Sequence, residues 1–242
     1  MNIQVNETPA DCVAVTAKLT AESLKRAIAA NGVATFVIAG GTLPPAVLTE
    51  LSGEAGQEID WTKVRFVIGD ERICGWDEPD SSWRSAMEFF DAHPEIPVEN
   101  KLRPRTESNA ETAADAYEAV MKDLAGSGAA PRLDTIWLGM GEDGHTLSLF
   151  PEHPSLTPTD RLVIPVHNSP KPPADRISFT LNAFAAAGDA YILAAGTGKA
   201  DVLVDATKPD SMLPIAQVAR AIEAAGGTVT WVLDEAAAAN LQ

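Results

Sequence analysis

The stretch "LDTIWLGMGEDGHTLSLFP", residues 133–151, joins a run of apolar residues to a polar segment rich in glycine. The run up to Leu138 has the length and apolar content of a buried strand. Three glycines follow within residues 139–144, a density that predicts a tight turn, and this turn carries Asp143 and His145. A buried strand that delivers an acid and a histidine to its carboxyl end is typical of binding sites in parallel α/β proteins.

On both sides of this stretch, short apolar strands alternate with segments whose apolar residues recur at helical spacing. The alternation predicts an α/β fold, a single domain over residues 1–242 with a mostly parallel, Rossmann-like sheet covered by helices on both faces. The predicted strands are 33–41, 63–72, 132–141, 161–167, 175–184, 189–196 and 228–234, and the predicted helices are 11–32, 43–52, 81–93, 107–126, 198–207 and 214–227.

Composition limits the partners that the chain can bind. The 242 residues include 34 acidic and 18 basic ones, which gives a formal net charge of −16. This charge repels nucleic acid and anionic membranes, so we expect neither as a partner. Cys12 and Cys74 are isolated, and no secretory signal and no run of about 18 apolar residues occurs, so we expect a cytoplasmic protein.

A first candidate site is the glycine loop "AGGT", which follows the strand 33–41. Gly40 and Gly41 let the backbone approach a ligand closely, and Thr42 adds a hydroxyl group. A helix begins just after, so its amides and dipole favour an anion such as phosphate. The alternative is a tight strand-to-helix turn that binds nothing.

Basic residues lie beside the same predicted strand ends. Arg72 closes the motif "GDER", in which Asp70 is placed to orient a hydroxyl group, while Arg176 opens a later strand and Lys199 opens a helix. Each alone is typical of a strand cap or a surface base. In so acidic a chain, bases close to glycine loops predict a clamp for phosphate.

His145 is the candidate general base. A neutral imidazole accepts a proton from water near pH 7, and Asp143 is near enough to position it. The alternative is a histidine at a helix start with Asp143 as its cap. The spacing to His153 does not suit a pair of metal ligands, so we predict no metal site.

Four motifs together resemble the 6-phosphogluconolactonases: "LGMGEDGHTLSLFP", "GDER" followed by "PDSSWR", "KPPADRISFTLNAF" and "GTGKADVL". They occur in that family's order, and the resemblance runs from about residue 35 to 205. The related glucosamine-6-phosphate deaminases share the fold and the "DGH" core, but carry an acid shortly after it. Phe150 stands at that place here, which favours the lactonase branch.

The resemblance implies hydrolysis of 6-phospho-D-glucono-1,5-lactone to 6-phosphogluconate, with no metal and no organic cofactor. It also implies roles for the candidate residues. The phosphate would meet Gly40, Gly41 and Thr42 with Arg176 and Lys199 as its clamp, His145 would be the base, and Asp70 and Asp143 would lie near the sugar ring.

The segment after "GDER" departs from the lactonase pattern. Cys74 and Gly75 replace a valine and a proline, Glu78 replaces a histidine and Ser82 an asparagine, in a loop expected to cover the site. This segment keeps open the alternative of a non-catalytic sugar-phosphate-binding protein. A second alternative, from the related family, is a sugar-phosphate isomerase or deaminase. We expect a phosphosugar lactone as the small-molecule partner and a monomer, although the sequence leaves oligomerisation open.

Overall fold

In a computed structural model that describes residues 2–241, strands and helices alternate much as predicted. The strands are β1 (Asn2–Asn6), β2 (Ala34–Ile38), β3 (Val64–Ile68), β4 (Asp70–Arg72), β5 (Leu133–Gly139), β6 (Val163–Val166), β7 (Arg176–Phe179), β8 (Ala187–Ala194) and β9 (Thr228–Asp234). The α-helices are α1 (Pro9–Asn31), α2 (Pro44–Ser52), α3 (Met87–Ala92), α4 (Ala110–Ala125), α5 (Ala200–Ala206), α6 (Pro214–Ala224) and α7 (Glu235–Ala238).

Six of these strands form one parallel sheet in the order β1-β9-β8-β5-β2-β3, which confirms the predicted fold class. From β2 the chain continues to β3 on one side, whereas from β5 it continues to β8 on the other. The order of the strands therefore reverses between β2 and β5. In open parallel sheets, ligands bind beside the carboxyl ends of the strands at such a switch point.

Alternate residues of the central strands face two different cores. On one face, Phe36 and Trp137 pack under α1, and the Trp137 indole donates a hydrogen bond to Thr20 Oγ1 at 2.8 Å. On the other face, Val37 and Ile136 belong to a core that α4, α5 and α6 complete. Helices therefore cover both faces of the sheet, as predicted from its nearly continuous apolar strands.

The predicted strands 161–167 and 175–184 do not join the main sheet. They contain β6 and β7, which form a separate antiparallel sheet in the order β4-β7-β6. The short, proline-rich connection between β6 and β7 accounts for their antiparallel pairing, because a parallel pairing requires a crossover of a dozen or more residues. The predicted strand also ends early, at Phe179, and a 3₁₀ helix spans Leu181–Phe184.

The chain passes from the main sheet to the small one at Gly69, between β3 and β4. A Cβ atom there would lie 2.5 Å from Leu147 Cδ2, so a larger residue at this bend would require the Leu147 side chain to move. In the next strand, alternation sends Glu71 to the face opposite that of Asp70 and Arg72. Glu71 is buried, while both of its neighbours border the site described below.

Other differences from the prediction are local. The predicted helix 81–93 is a 3₁₀ turn at Trp83–Ala86 followed by the short α3, and the strand β1 was not predicted. Within residues 2–241, no helix is both long and apolar enough to cross a membrane.

Candidate active site

A cavity of about 510 Å³ opens at the carboxyl ends of the strands, against the loops that follow β2 and β5. Most of the predicted site residues line it, although they come from distant parts of the sequence. They are Gly40, Gly41, Thr42, Asp70, Arg72, His145, Arg176 and Lys199. The remaining one, Asp143, stands behind this lining and contacts His145. Parallel strands thus bring together the residues that the sequence places after separate strands.

The loop after β5 fixes the orientation of His145. The Asp143 carboxylate accepts a hydrogen bond from the His145 backbone N–H at 3.2 Å and contacts the ring Nδ1. Gly144 has a φ of +79°, and a side chain at Gly141 would collide with the imidazole ring. The contact with Asp143 assigns the ring hydrogen to Nδ1, which leaves Nε2 as the basic nitrogen.

The surroundings of His145 favour its neutral form. Burial of the ring lowers the pKa of His145, and the hydrogen bond and charge of Asp143 offset only part of that effect. Burial acts to raise the pKa of Asp143, but the hydrogen bond with His145 and the positive charge of Lys171 outweigh it, and this pKa is lowered. A neutral imidazole beside a carboxylate is an arrangement suited to general-base chemistry.

The glycine loop after β2 presents free backbone donors to the cavity. Within residues 2–241, the N–H groups of Gly41, Thr42 and Leu43 donate to no protein acceptor. The helix α2 itself contributes less than expected, because Pro44 and Pro45 at its start lack N–H groups. An anion would therefore be held by amides of the loop more than by those of the first helical turn.

Lys199 and Arg176 differ in how freely they could contact an anion. The Lys199 ammonium forms no ion pair within 4.0 Å among residues 2–241, and burial lowers its pKa. Arg176 is only 4% exposed and donates to the carbonyl oxygens of Lys171 (2.9 Å), Pro172 (3.0 Å) and Pro173 (3.2 Å). Arg176 is thus first an anchor for the β6–β7 loop, and its Nη1 atom donates to Ser148 Oγ at 3.5 Å.

Asp70 and Arg72 are held by neighbours that sequence analysis did not single out. The Ser148 hydroxyl donates to Asp70 Oδ2 at 2.7 Å, and Arg72 Nη1 donates to the Asp80 carbonyl oxygen at 2.5 Å. Arg84, another base of the quoted "PDSSWR" segment, does not line the cavity. The structure therefore brings Arg72, but not Arg84, to the site.

Lys171 and Glu71 are the site residues that sequence analysis missed. Lys171 lines the cavity, with Nζ 3.4 Å from His145 Nδ1. Glu71 lies beneath the site and accepts hydrogen bonds from the N–H groups of Ser82 and Trp83 at 2.7 and 2.8 Å. The available signal for Glu71 was the alternation of side chains between the two faces of β4. For Lys171, the only signal was its place in the quoted "KPPADR" motif.

The altered segment after "GDER" reaches the cavity only at its two ends. Arg72 and Ser82 line the cavity, but residues 73–81 do not, so this loop does not cover the site as expected. Its turn is closed by Glu78, whose carboxylate accepts the Gly75 N–H at 2.9 Å. The departures from the lactonase pattern therefore lie mostly outside the cavity wall.

Phe150 separates His145 from the other histidine considered as a metal ligand. Its buried ring lies 4.7 Å from the His145 ring and 5.9 Å from the His153 ring, centroid to centroid. The Arg176 guanidinium lies 5.6 Å from the centre of the same ring. Among residues 2–241, no group of three or more His, Cys, Asp or Glu side chains is arranged to hold a metal ion.

Comparison with known proteins gives a consistent set of relatives. The sequence profile of the family described as glucosamine-6-phosphate isomerases/6-phosphogluconolactonase matches residues 7–231. The 6-phosphogluconolactonase of Mycobacterium tuberculosis is 36% identical over 239 residues, covering 95% of this chain and 94% of the relative. The chloroplastic 6-phosphogluconolactonase 3 of Arabidopsis thaliana is 30% identical over 247 residues, covering 99% and 75% of the two chains.

Solved structures agree with these sequence matches. The 6-phosphogluconolactonase of Trypanosoma brucei superimposes with a TM-score of 0.84 at 26% identity, covering 100% of this chain and 98% of the other. The 6-phosphogluconolactonase of Shewanella baltica superimposes with a TM-score of 0.77 at 26% identity, covering 96% and 97%.

Proposed function

The chain belongs to the glucosamine-6-phosphate isomerase/6-phosphogluconolactonase family, and we propose that it hydrolyses 6-phospho-D-glucono-1,5-lactone to 6-phospho-D-gluconate. This reaction is the second step of the oxidative pentose phosphate pathway. One observation carries the proposal: a neutral histidine oriented by Asp143 shares a cavity with a loop of free backbone amides and with Lys199. That pairing suits a phosphorylated substrate that is attacked by water.

In the proposed mechanism, the phosphate binds to the N–H groups of the glycine loop and to Lys199. His145 Nε2 removes a proton from a water molecule, whose oxygen attacks C1 of the lactone. Negative charge develops on the carbonyl oxygen, where Arg72 stabilises it. The bond between C1 and the ring oxygen then breaks, and the ring oxygen takes the proton from His145 to become a hydroxyl group. Binding the phosphate at a distance from C1 positions the lactone for this attack.

The pH dependence of the reaction should report the state of His145. Because burial lowers the pKa of His145, the base stays deprotonated down to more acidic pH than an exposed histidine. We expect kcat/KM to be level near pH 7 and to fall only below about pH 6.5, the ordinary histidine value. The measurement is kcat/KM from pH 5 to 8, with the spontaneous hydrolysis subtracted at each pH. An acid limb centred above pH 7 would contradict this assignment.

Replacement of Lys199 tests whether this residue binds the phosphate group of the substrate, together with the glycine loop. Lys199→Met removes the cation that forms no ion pair, so KM for the phosphorylated lactone should rise about tenfold or more, with a smaller change in kcat. Initial rates over a range of lactone concentrations measure both constants. An unchanged KM would assign the phosphate to other groups. Lys63→Met is the matched control. Lys63 directly precedes β3, whereas the cavity lies at the carboxyl ends of the strands, so both constants should stay unchanged.

The alternative activity within this family, isomerisation or deamination of a sugar phosphate, is disfavoured at Phe150. An acid at this place would present a carboxylate beside His145, whereas the fully buried phenyl ring presents none. The deciding experiment incubates the protein with freshly made 6-phosphogluconolactone and, separately, with glucosamine 6-phosphate. Acid release above the spontaneous rate supports the proposal. Ammonia release, or lactone hydrolysis no faster than in buffer, overturns it.

We also retain three expectations from the sequence as part of the proposal: one domain over residues 1–242, a monomer, and a cytoplasmic location. The isolated cysteines support the last of these. No metal and no organic cofactor take part in the proposed steps.

A further inference from the structure

Lys171 lies beside the proposed catalytic pair and was not assigned a role by the sequence. Its Nζ atom is 3.4 Å from His145 Nδ1 and 3.8 Å from Asp143 Oδ1. The side chain is 46% exposed, so it reaches the pair from the open side of the cavity. A cation so close to both groups acts on the charge of each.

The loop between β6 and β7 is built to hold Lys171 at this place. The Lys171 carbonyl oxygen accepts hydrogen bonds from Arg176 Nη2 at 2.9 Å and from Ser169 Oγ at 2.8 Å. The Ser169 N–H donates to the Ala174 carbonyl oxygen at 2.9 Å, which closes the loop on itself. A buried arginine that uses several donors on one loop fixes the backbone from which the ammonium extends.

Asp143 presents a difficulty for the base, which burial of the His145 ring offsets first and the nearby Lys171 offsets further. A carboxylate in contact with an imidazole favours the imidazolium, which cannot accept a proton from water. The same carboxylate is needed to hold the ring and to fix the hydrogen on Nδ1. A nearby ammonium allows both, because it stabilises the negative charge of Asp143 and disfavours a second positive charge on His145.

We propose that Lys171 is a positioning residue for the base: its ammonium holds Asp143 as a carboxylate and keeps His145 neutral. This role rests on the proposed function of His145. The other charged groups around the His145 ring do not all have the same effect, since some favour the imidazolium and some the neutral imidazole. Asp70 favours the imidazolium, as Asp143 does, and Lys199, which lines the same cavity, interacts electrostatically with both Lys171 and Asp143. On the remaining side the ring packs on the apolar Phe150.

The experiment compares Lys171→Met and Lys171→Arg with the wild type, with Lys63→Met as the control for loss of one lysine charge. Two quantities are measured on each protein. The first is the titration midpoint of the His145 imidazole by NMR, its signal assigned by its absence in His145→Asn. The second is kcat/KM for the lactone between about pH 5 and pH 8, a range that spans ordinary histidine titration.

We expect the His145 midpoint and the acid limb of kcat/KM to move together to higher pH in Lys171→Met. This variant should therefore lose several-fold more activity at about pH 5.5 than at about pH 8. Lys171→Arg should restore most of the wild-type titration midpoint and most of the activity at low pH. Lys63→Met should match the wild type in both quantities. An unmoved midpoint in Lys171→Met would overturn the proposal, as would a rise in KM alone, which would make Lys171 a substrate contact. The NMR titration needs no turnover, so it tests Lys171 even if lactone hydrolysis itself fails.

Discussion

Replacement of His145 by asparagine is expected to lower kcat by about 10²–10⁴-fold, the usual contribution of a placed proton acceptor. Asparagine can still donate a hydrogen bond towards Asp143, but it has no basic nitrogen that can take a proton from water. KM should change little, because the proposed phosphate contacts lie on the glycine loop and Lys199. The measurement is a steady-state rate with fresh lactone, corrected for spontaneous hydrolysis.

His153→Asn provides the matched control for this experiment. His153 lies on the other side of Phe150, and its Nδ1 accepts the Ser155 N–H at 3.1 Å in a capping contact that asparagine can replace. This variant should retain the wild-type kcat. Thermal unfolding of both variants checks that any loss of rate does not come from loss of fold. A His145→Asn protein that is folded and fully active would remove His145 from the mechanism.

The juxtaposition of Gly40 and His145 could be predicted from the sequence because the fold is parallel. Each residue follows a buried strand, and parallel strands place their carboxyl ends at one edge. Both loops line one cavity, and a Cβ atom added to Gly139, at the end of β5, would lie 4.0 Å from the Gly40 carbonyl oxygen. The apolar runs were enough to find these strands, and nothing about the loop conformations was needed to place their ends together.

Lys171 and Glu71 could not be found by the same reasoning, because their positions depend on the small antiparallel sheet. The sequence showed apolar runs at β6 and β7, but not that β7 pairs with β4 and β6 to form a sheet separate from the main one. Only that pairing brings the β6–β7 loop over His145. Arg176 illustrates the same limit: its charge suggested a phosphate clamp, whereas its burial and its three carbonyl partners follow from the tertiary structure.

Glu71→Ala is expected to lower the free energy of unfolding by at least about 3 kcal/mol, since three buried donors would lose their partner and each costs about 1–3 kcal/mol. The carboxylate accepts the N–H groups of Arg72, Ser82 and Trp83 at 2.7–2.8 Å, and the Ser81 hydroxyl at 2.9 Å. Burial raises the pKa of Glu71, while these hydrogen bonds act to lower it. Unfolding in urea, followed by tryptophan fluorescence, measures the loss.

The Glu71 substitution should also weaken substrate binding, because the same hydrogen bonds hold Arg72 and Ser82 at the cavity wall. Glu71→Gln covers the case in which the alanine variant does not fold, since it keeps the volume and one acceptor oxygen. Its amide group would face a backbone donor, so a smaller loss of stability and a raised KM are expected.

Glu78→Ala separates the role of Glu71 from a general sensitivity of the segment. Glu78 accepts one hydrogen bond, from the Gly75 N–H in an exposed turn, so its loss should cost less than about 1 kcal/mol and leave KM unchanged. If Glu71→Ala had the same midpoint of unfolding in urea as the wild type and an unaltered KM, the buried carboxylate would not organise the site. If Glu78→Ala were equally harmful, the loop itself would matter more than its attachment beneath Asp70 and Arg72. The contrast between the two glutamates therefore tests whether Glu71, a buried residue that does not line the cavity, fixes the positions of Arg72 and Ser82 in the cavity wall.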